Sequence, residues 1–269
     1  MSETPKPPKS HRRLSISASL APRDLMAEPR RVKGAWTARV ITLLPEAFPG
    51  ILGLSLTGKA LDFGLWALEP VDLRQFGIGK HRNVDDTPAG GGAGMVLRAD
   101  VLDAALGAAD SGLPRAQWPV IYLSPRGAPF TQAMAQRLSQ ADGITLLCGR
   151  FEGVDQRLLD HHAIEEISLG DYVLTGGEIA ATALIDATVR LLPNVLGNEA
   201  STEEESFSDG LLEHPHYTRP AIWNELPIPE VLQSGHHGAI AKWRLAASEA
   251  ITKIRRPDLW ATYTHRKPK

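Results

Sequence analysis

From Trp36 onward the chain alternates short runs of β character with helical stretches, and that alternation constrains the fold more than any other feature. Ala38 to Leu44 and Leu65 to Val71 read as strands with a helical stretch between them. Pro119 to Leu123 and Gly143 to Cys148 repeat the pattern around the helical stretch Phe130 to Gln140. Parallel neighbours can be joined only by a crossover, so the alternation implies βαβ units and an α/β fold on a mostly parallel sheet. Glu178 to Leu192 reads as a further helix, stopped by Pro193. No repeat of solenoid period appears. With 269 residues, 43% of them hydrophobic, there is room for one large domain and a small one, and for a core that needs no staples.

Cys148 is the only cysteine, which excludes an internal disulfide, and no Cys or His cluster has the spacing of a structural zinc site. A reducing cytoplasm is the compartment that fits. Cys148 could serve as a nucleophile, but it ends the apolar run Ile144, Leu146, Leu147, where cysteine behaves as a small hydrophobe. No run reaches the length a bilayer requires. Serines interleave the apolar residues between Leu14 and Ala21 and make a poor secretory signal core.

The net charge of −2 hides a strong division along the chain. Residues 1–35 carry eight Lys or Arg against three acids and residues 236–269 carry eight against two, so ends of +5 and +6 enclose a body of −13. An acidic body with basic ends can still present a phosphate-binding stripe. Pro5, Pro7, Pro8 and scattered serines predict a disordered basic extension over residues 1–35, with an Arg- and Ser-rich transit peptide as the alternative. The acidic stretch from Gly197 reads as a linker or lid over 197–210. A helical unit over 211–269 follows, in which Ile240, Trp243, Ala247, Ile251 and Ile254 keep helical spacing while Lys242, Arg244 and Lys253 project elsewhere.

Two stretches invite ligand readings. Pro88 to Met95 is rich in glycine but lacks the Gly-Lys-Ser/Thr ending of a P-loop and misses the dinucleotide fingerprint by one position. What it offers is backbone freedom, suited to a loop that moves over a ligand, or to a plain surface turn. His161, His162, Glu165 and Glu166 form overlapping His-x-x-x-Glu pairs that could share one helix face. Such a cluster more often marks a solvated face, and no protein-bound metal is assigned.

The most informative stretches are Cys148-Gly149-Arg150-Phe151-Glu152-Gly153-Val154-Asp155 and Ser168-Leu169-Gly170-Asp171-Tyr172-Val173-Leu174-Thr175-Gly176-Gly177-Glu178. Both resemble motifs of the bacterial tRNA (guanine-N1)-methyltransferases, the TrmD family of the knotted SPOUT class. So do Leu44-Pro45-Glu46, His81 to Asp86, Tyr122-Leu123-Ser124-Pro125-Arg126-Gly127 and His214-Pro215-His216-Tyr217-Thr218-Arg219-Pro220. The resemblance runs in order from about Ala38 to Leu259.

It implies a SPOUT methyltransferase domain over 36–196 with a deep trefoil knot, and a C-terminal helical tRNA-binding domain over 211–269. S-Adenosylmethionine would lie in the knot, held largely by backbone groups at positions matching Tyr122, Ser124, Pro125, Gly149, Leu169, Gly170, Tyr172, Leu174, Gly176 and Gly177. Small residues suit a cofactor read by main-chain groups, and four of these ten are glycine. The residues before Glu178 also read as a turn capped by Thr175, which is compatible. The resemblance further implies a homodimer with the active site at the subunit interface, tRNA as partner, no membrane, and Mg²⁺ as a candidate assistant.

Guanine N1 carries a proton at neutral pH, so methylation there requires a base for that proton and a cation for the charge developing on O6. The family pattern matches Arg190 to the cation and Glu205 to the base. Without the resemblance, Arg190 reads as a charge favouring the helix C-terminus, and Glu203, Glu204 and Glu205 as a solvated acidic run. The family usually has aspartate where this chain has Glu205, leaving Glu204 as the lesser candidate. Two other classes remain for comparison: a SPOUT enzyme acting on another RNA or on a 2′-hydroxyl, and an inactive RNA-binding relative. A 2′-hydroxyl enzyme has no need of a linker carboxylate paired with Arg190, and the His214 to Pro220 string lies outside the shared knot.

Overall fold

The computed structural model describes residues 34–196 and 205–266. The basic extension, the first part of the acidic linker with Glu203 and Glu204, and the last three residues lie outside the described residues. Strand β1 (Trp36–Thr42), helix α1 (Ser55–Asp62) and strand β2 (Trp66–Asp72) come first. The two-residue strands β3 (Asp85–Asp86) and β4 (Val96–Leu97) pair antiparallel across the glycine-rich loop. Then come α2 (Ala99–Ala108), β5 (Val120–Pro129), α3 (Gln132–Ser139), β6 (Gly143–Cys148), α4 (Gln156–His162), β7 (Glu165–Ser168) and α5 (Glu178–Val189). After Glu205 come the hairpin β8 (Ile222–Trp223) and β9 (Leu226–Pro227), then α6 (Glu230–Gln233), α7 (His237–Arg255) and α8 (Pro257–Arg266).

The five long strands form one sheet in the order β2-β1-β6-β5-β7, and every pairing in it is parallel. Strand β6 is central, and all six of its residues are buried, as expected of a parallel strand covered on both faces. Alternation divides the core accordingly. Ala38, Val40, Ile144, Leu146 and Cys148 pack with α5 residues Ala181, Leu184 and Ile185 on one face. Ile41, Tyr122 and Leu147 pack with α2 and α4 residues Leu102, Ala105, Leu158 and Leu159 on the other. Cys148 is fully buried and desolvation pushes its thiol well up, which favours the hydrophobe reading over the nucleophile.

Three local readings are corrected. Strand β5 does not stop at Leu123: its pairing with β7 slips between Leu123 and Ala128, so Ser124 to Gly127 bulge out before the strand resumes. Helix α5 ends at Val189, short of Leu192, with Arg190 as its C-cap. On α7, Ile254 is 81% exposed, and the most buried residues are Ser248 and Thr252. The reason is a polar seam: the Thr252 hydroxyl accepts from the Leu212 amide at 2.8 Å and donates to the Ser248 carbonyl at 2.6 Å, a contact that apolar spacing does not register.

Candidate active site

A cleft opens at the C-terminal ends of β5, β6 and β7, where parallel sheets commonly place ligands. Three chain segments build it: the β5 bulge with Ser124 and Pro125, the turn Gly149 to Gly153 after β6, and the loop Ser168 to Gly177 before α5. All ten residues matched to the cofactor, from Tyr122 to Gly177, line this one cleft. The β6 turn and the α5 loop are tied by the Gly177 amide, which donates to the Gly149 carbonyl at 3.0 Å. A Cβ on Gly177 would fall 2.7 Å from Cys148 Cα, so this close approach requires glycine. Within the loop the Ser168 hydroxyl accepts from the Gly170 amide at 3.2 Å. The Tyr122 phenol closes the floor, and burial raises its proton affinity. Tyr172 and Phe151 stand at the rim, 54% and 55% exposed.

Sequence reasoning missed the charges that brace this cleft. The Glu178 carboxylate, only 7% exposed, receives Arg150 Nη2 at 3.0 Å and the Thr42 hydroxyl at 2.7 Å. Arg150 also reaches the Thr175 carbonyl at 3.4 Å, so one guanidinium spans the two loops that form the walls. A glutamate opening a helix favours the dipole wherever it stands, so nothing in the sequence distinguished this one. Thr175 does not cap α5: the N-cap is Gly177, without a side-chain bond. Removing the carboxylate with Glu178→Ala leaves Arg150 without its ionic partner. Because Arg150 retains 24% of its side-chain exposure, water softens the loss, and about 1–3 kcal/mol of destabilisation is expected in urea unfolding. An unchanged midpoint and slope would contradict the bracing role.

Arg190 and Glu205 meet as a two-armed pair: Arg190 Nη1 donates to Glu205 Oε2 at 2.6 Å, and Nη2 donates to Oε1. The Arg190 hydrogen bonds hold the Glu205 carboxyl below the usual carboxylate range, and Glu205 in turn raises Arg190. Neither residue lines the cleft just described. Glu205 opens instead on a second cavity of about 510 Å³ between the end of the linker and α7, lined also by Asp209, Glu213, His214, His237 and Arg244. The structure therefore brings the expected residues together in two groups, without joining the groups in a single lining.

The remaining candidates fall elsewhere. Ala163, in the left-handed region at φ 48, ends α4, so the two histidines and the two glutamates do not share a helix face. His162 lies 2.7 Å from Asp103, Glu165 pairs with Arg137, and Glu166 pairs with Arg126. The glycine-rich loop lines a separate groove of about 1150 Å³ through Pro88 and Ala89. Its far end is pinned to the cleft, because the Glu152 amide donates to the Met95 carbonyl at 3.0 Å.

Comparison with known proteins adds a finding independent of this geometry. The family model described as tRNA (Guanine-1)-methyltransferase TrmD matches residues 37–262. A Cereibacter sphaeroides protein named tRNA (guanine-N(1)-)-methyltransferase is 71% identical over 234 residues, which cover 86% of this chain and 94% of that protein. A Ruegeria pomeroyi protein of the same name is 69% identical over 235 residues, covering 87% and 96%. One from Bradyrhizobium diazoefficiens is 60% identical over 227 residues, covering 84% and 89%.

Proposed function

The chain belongs to the tRNA (guanine-1)-methyltransferase family, and from that premise we propose that it transfers a methyl group from S-adenosylmethionine to N1 of guanine 37 in tRNA, beside the anticodon. The observation that carries the reading is the gathering of all ten expected cofactor residues around one cleft. The lining suits the cofactor: Ile167, Leu169, Leu174 and Ala180 offer an apolar bed for a purine, and glycine-rich loops bring main-chain groups close. Glu152 is the one carboxylate among the lining residues, a counter-charge for a sulfonium or an amino group. When bound, the cofactor supplies an electrophilic methyl group. Among the described residues no group of three or more His, Cys, Asp or Glu is placed to hold a metal ion.

The chain's own residues do the rest. Guanine presents O6, an acceptor, next to N1–H, a donor, along one edge. Arg190 and Glu205 present the complementary order, N–H beside carboxylate. A guanine entering this pair exchanges their mutual hydrogen bonds for its own. Glu205 then takes the N1 proton, and Arg190 holds the charge gathering on O6. Because the cleft lining contains neither residue, we place the reacting guanine between two copies of the chain, with one cleft facing the other copy's Arg190 and Glu205. The trefoil knot, the linker over 197–210, the tRNA-binding unit over 211–269 and a cytoplasmic setting belong to the same proposal. No helix among the described residues is long and apolar enough to cross a membrane.

Labelled cofactor incubated with tRNA transcripts bearing guanine or adenine at position 37 tests the reading. Label is expected only in the guanine transcript, at N1. Label at another position or on a 2′-hydroxyl indicates a related enzyme, and tRNA binding without transfer indicates an inactive relative.

A further inference from the structure

Four aromatic rings meet on the surface of the C-terminal segment, away from the cofactor cleft. His214 and His216 have ring centroids 4.8 Å apart, His214 and Trp243 6.5 Å, and Tyr217 and Trp243 6.0 Å, all at tilted or edge angles. None of the four is buried, so the cluster is not explained as core: Tyr217 is 49% exposed and the His216 side chain 66%. Exposed cations flank these residues in the chain, Lys242 and Arg244 immediately before and after Trp243 on α7 and Arg219 two residues beyond Tyr217. His214 also lines the cavity on which Glu205 opens, so the rings continue directly from the carboxylate assigned to the reaction.

Solvent-exposed aromatic rings interleaved with basic side chains are the chemistry that binds unpaired nucleotides, since every base has a face to stack and every link carries a phosphate. We propose that His214, His216, Tyr217 and Trp243 form a stacking platform for an unpaired base of the RNA next to the target guanine, with Lys242 and Arg219 on the neighbouring phosphates. The assignment rests on the proposed function, because only a nucleic-acid substrate brings such a base to Glu205. Stacking tolerates any base, so the platform holds and orients the loop, while selection of guanine stays with Arg190 and Glu205.

The test uses the full chain and an anticodon stem-loop RNA in which the target guanine is replaced by adenine, so that binding is read without turnover, by fluorescence anisotropy over a series of salt concentrations. Tyr217→Leu is expected to weaken binding roughly 5- to 150-fold with an unchanged salt slope, and Tyr217→Phe to retain wild-type affinity. Lys242→Ala should instead lower the salt slope by about 1. An abasic site beside the target position should weaken wild-type binding and leave Tyr217→Leu no weaker than wild type. Wild-type affinity in Tyr217→Leu, an equal loss in Tyr217→Phe, or additive losses from the abasic site and Tyr217→Leu would each overturn the platform. Methyl transfer to the guanine-bearing stem-loop is measured separately at saturating RNA. Its absence, with the stacking results intact, would remove the assigned reaction and leave the platform standing.

Discussion

Glu205→Ala is expected to lower the single-turnover rate of methyl transfer by roughly 10²–10⁴, the range that a positioned general base commonly contributes, with cofactor affinity unchanged. The two-armed pair with Arg190 explains why the effect should be large: the carboxylate is already oriented and ionised before the substrate arrives. It also sets the outcome expected of Glu205→Asp. Both carboxylate oxygens engage Arg190 through the full length of the glutamate side chain. Shortening that chain by one carbon–carbon bond, about 1.5 Å, withdraws them unless the linker backbone moves. Restoring the residue usual in the family should therefore slow the reaction here, by up to about 10²-fold.

The pH dependence follows from the same pair. A carboxyl held below its ordinary value of 4.5 stays ionised until the solution is more acidic than that, so activity and the pair's contribution to stability are both full above it. They are lost as pH falls through the lowered value. In Arg190→Gln the acid limb of the pH–rate profile should move upward. An acid limb that stays in place in that variant, or near wild-type turnover in Glu205→Ala, would remove the general-base assignment. Glu204→Ala provides the control and should do much less.

Gly149→Val is expected to reduce S-adenosylmethionine affinity by at least about 10²-fold in a protein that still folds, measured by calorimetry beside a thermal melt. The nearest atoms to a Cβ at this position belong to the Tyr122 side chain, Cε2 at 2.8 Å and the hydroxyl at 2.9 Å. Tyr122 is buried and lines the same cleft as Gly149, so a displaced ring disturbs the cleft floor, and the valine methyls take up part of the space there. Gly177→Val differs in kind. Its Cβ would overlap the Cys148 backbone at 2.7 Å, where nothing flexible can give way, so fold and cofactor should be lost together. Wild-type cofactor affinity in a folded Gly149→Val protein would contradict the cleft assignment.

How far these features were legible in the sequence depends on the range of the interactions that create them. The α/β class and the strand over Gly143 to Cys148 were readable within a residue or two, because burial on both faces of a parallel sheet writes itself as a short apolar run. The strand over Leu65 to Val71 was readable as closely, although at the sheet edge only its Trp66 is fully buried. The ten cleft residues were found by family resemblance, and their glycines agreed with the chemistry expected there. The β5 bulge was not legible, since Ser124 to Gly127 read locally as a loop whether or not the strand resumes after it. Nor was the polar seam of α7, where Thr252 and Ser248 are buried by hydrogen bonds that hydrophobic spacing cannot register.

Local sequence by itself determined the strand–helix alternation of the α/β class, that the ends are basic and the body acidic, and which motifs carry the family resemblance. Only the tertiary structure decided what meets what. Thr42, Arg150 and Glu178 are separated by up to 136 residues in the chain yet meet at one carboxylate, which takes a hydroxyl hydrogen bond and an ion pair, and Arg190 finds Glu205 across fifteen. Such pairings follow from strand order and loop closure, which no window of sequence contains, because the free energy that fixes them is shared by the whole sheet and both layers of its core.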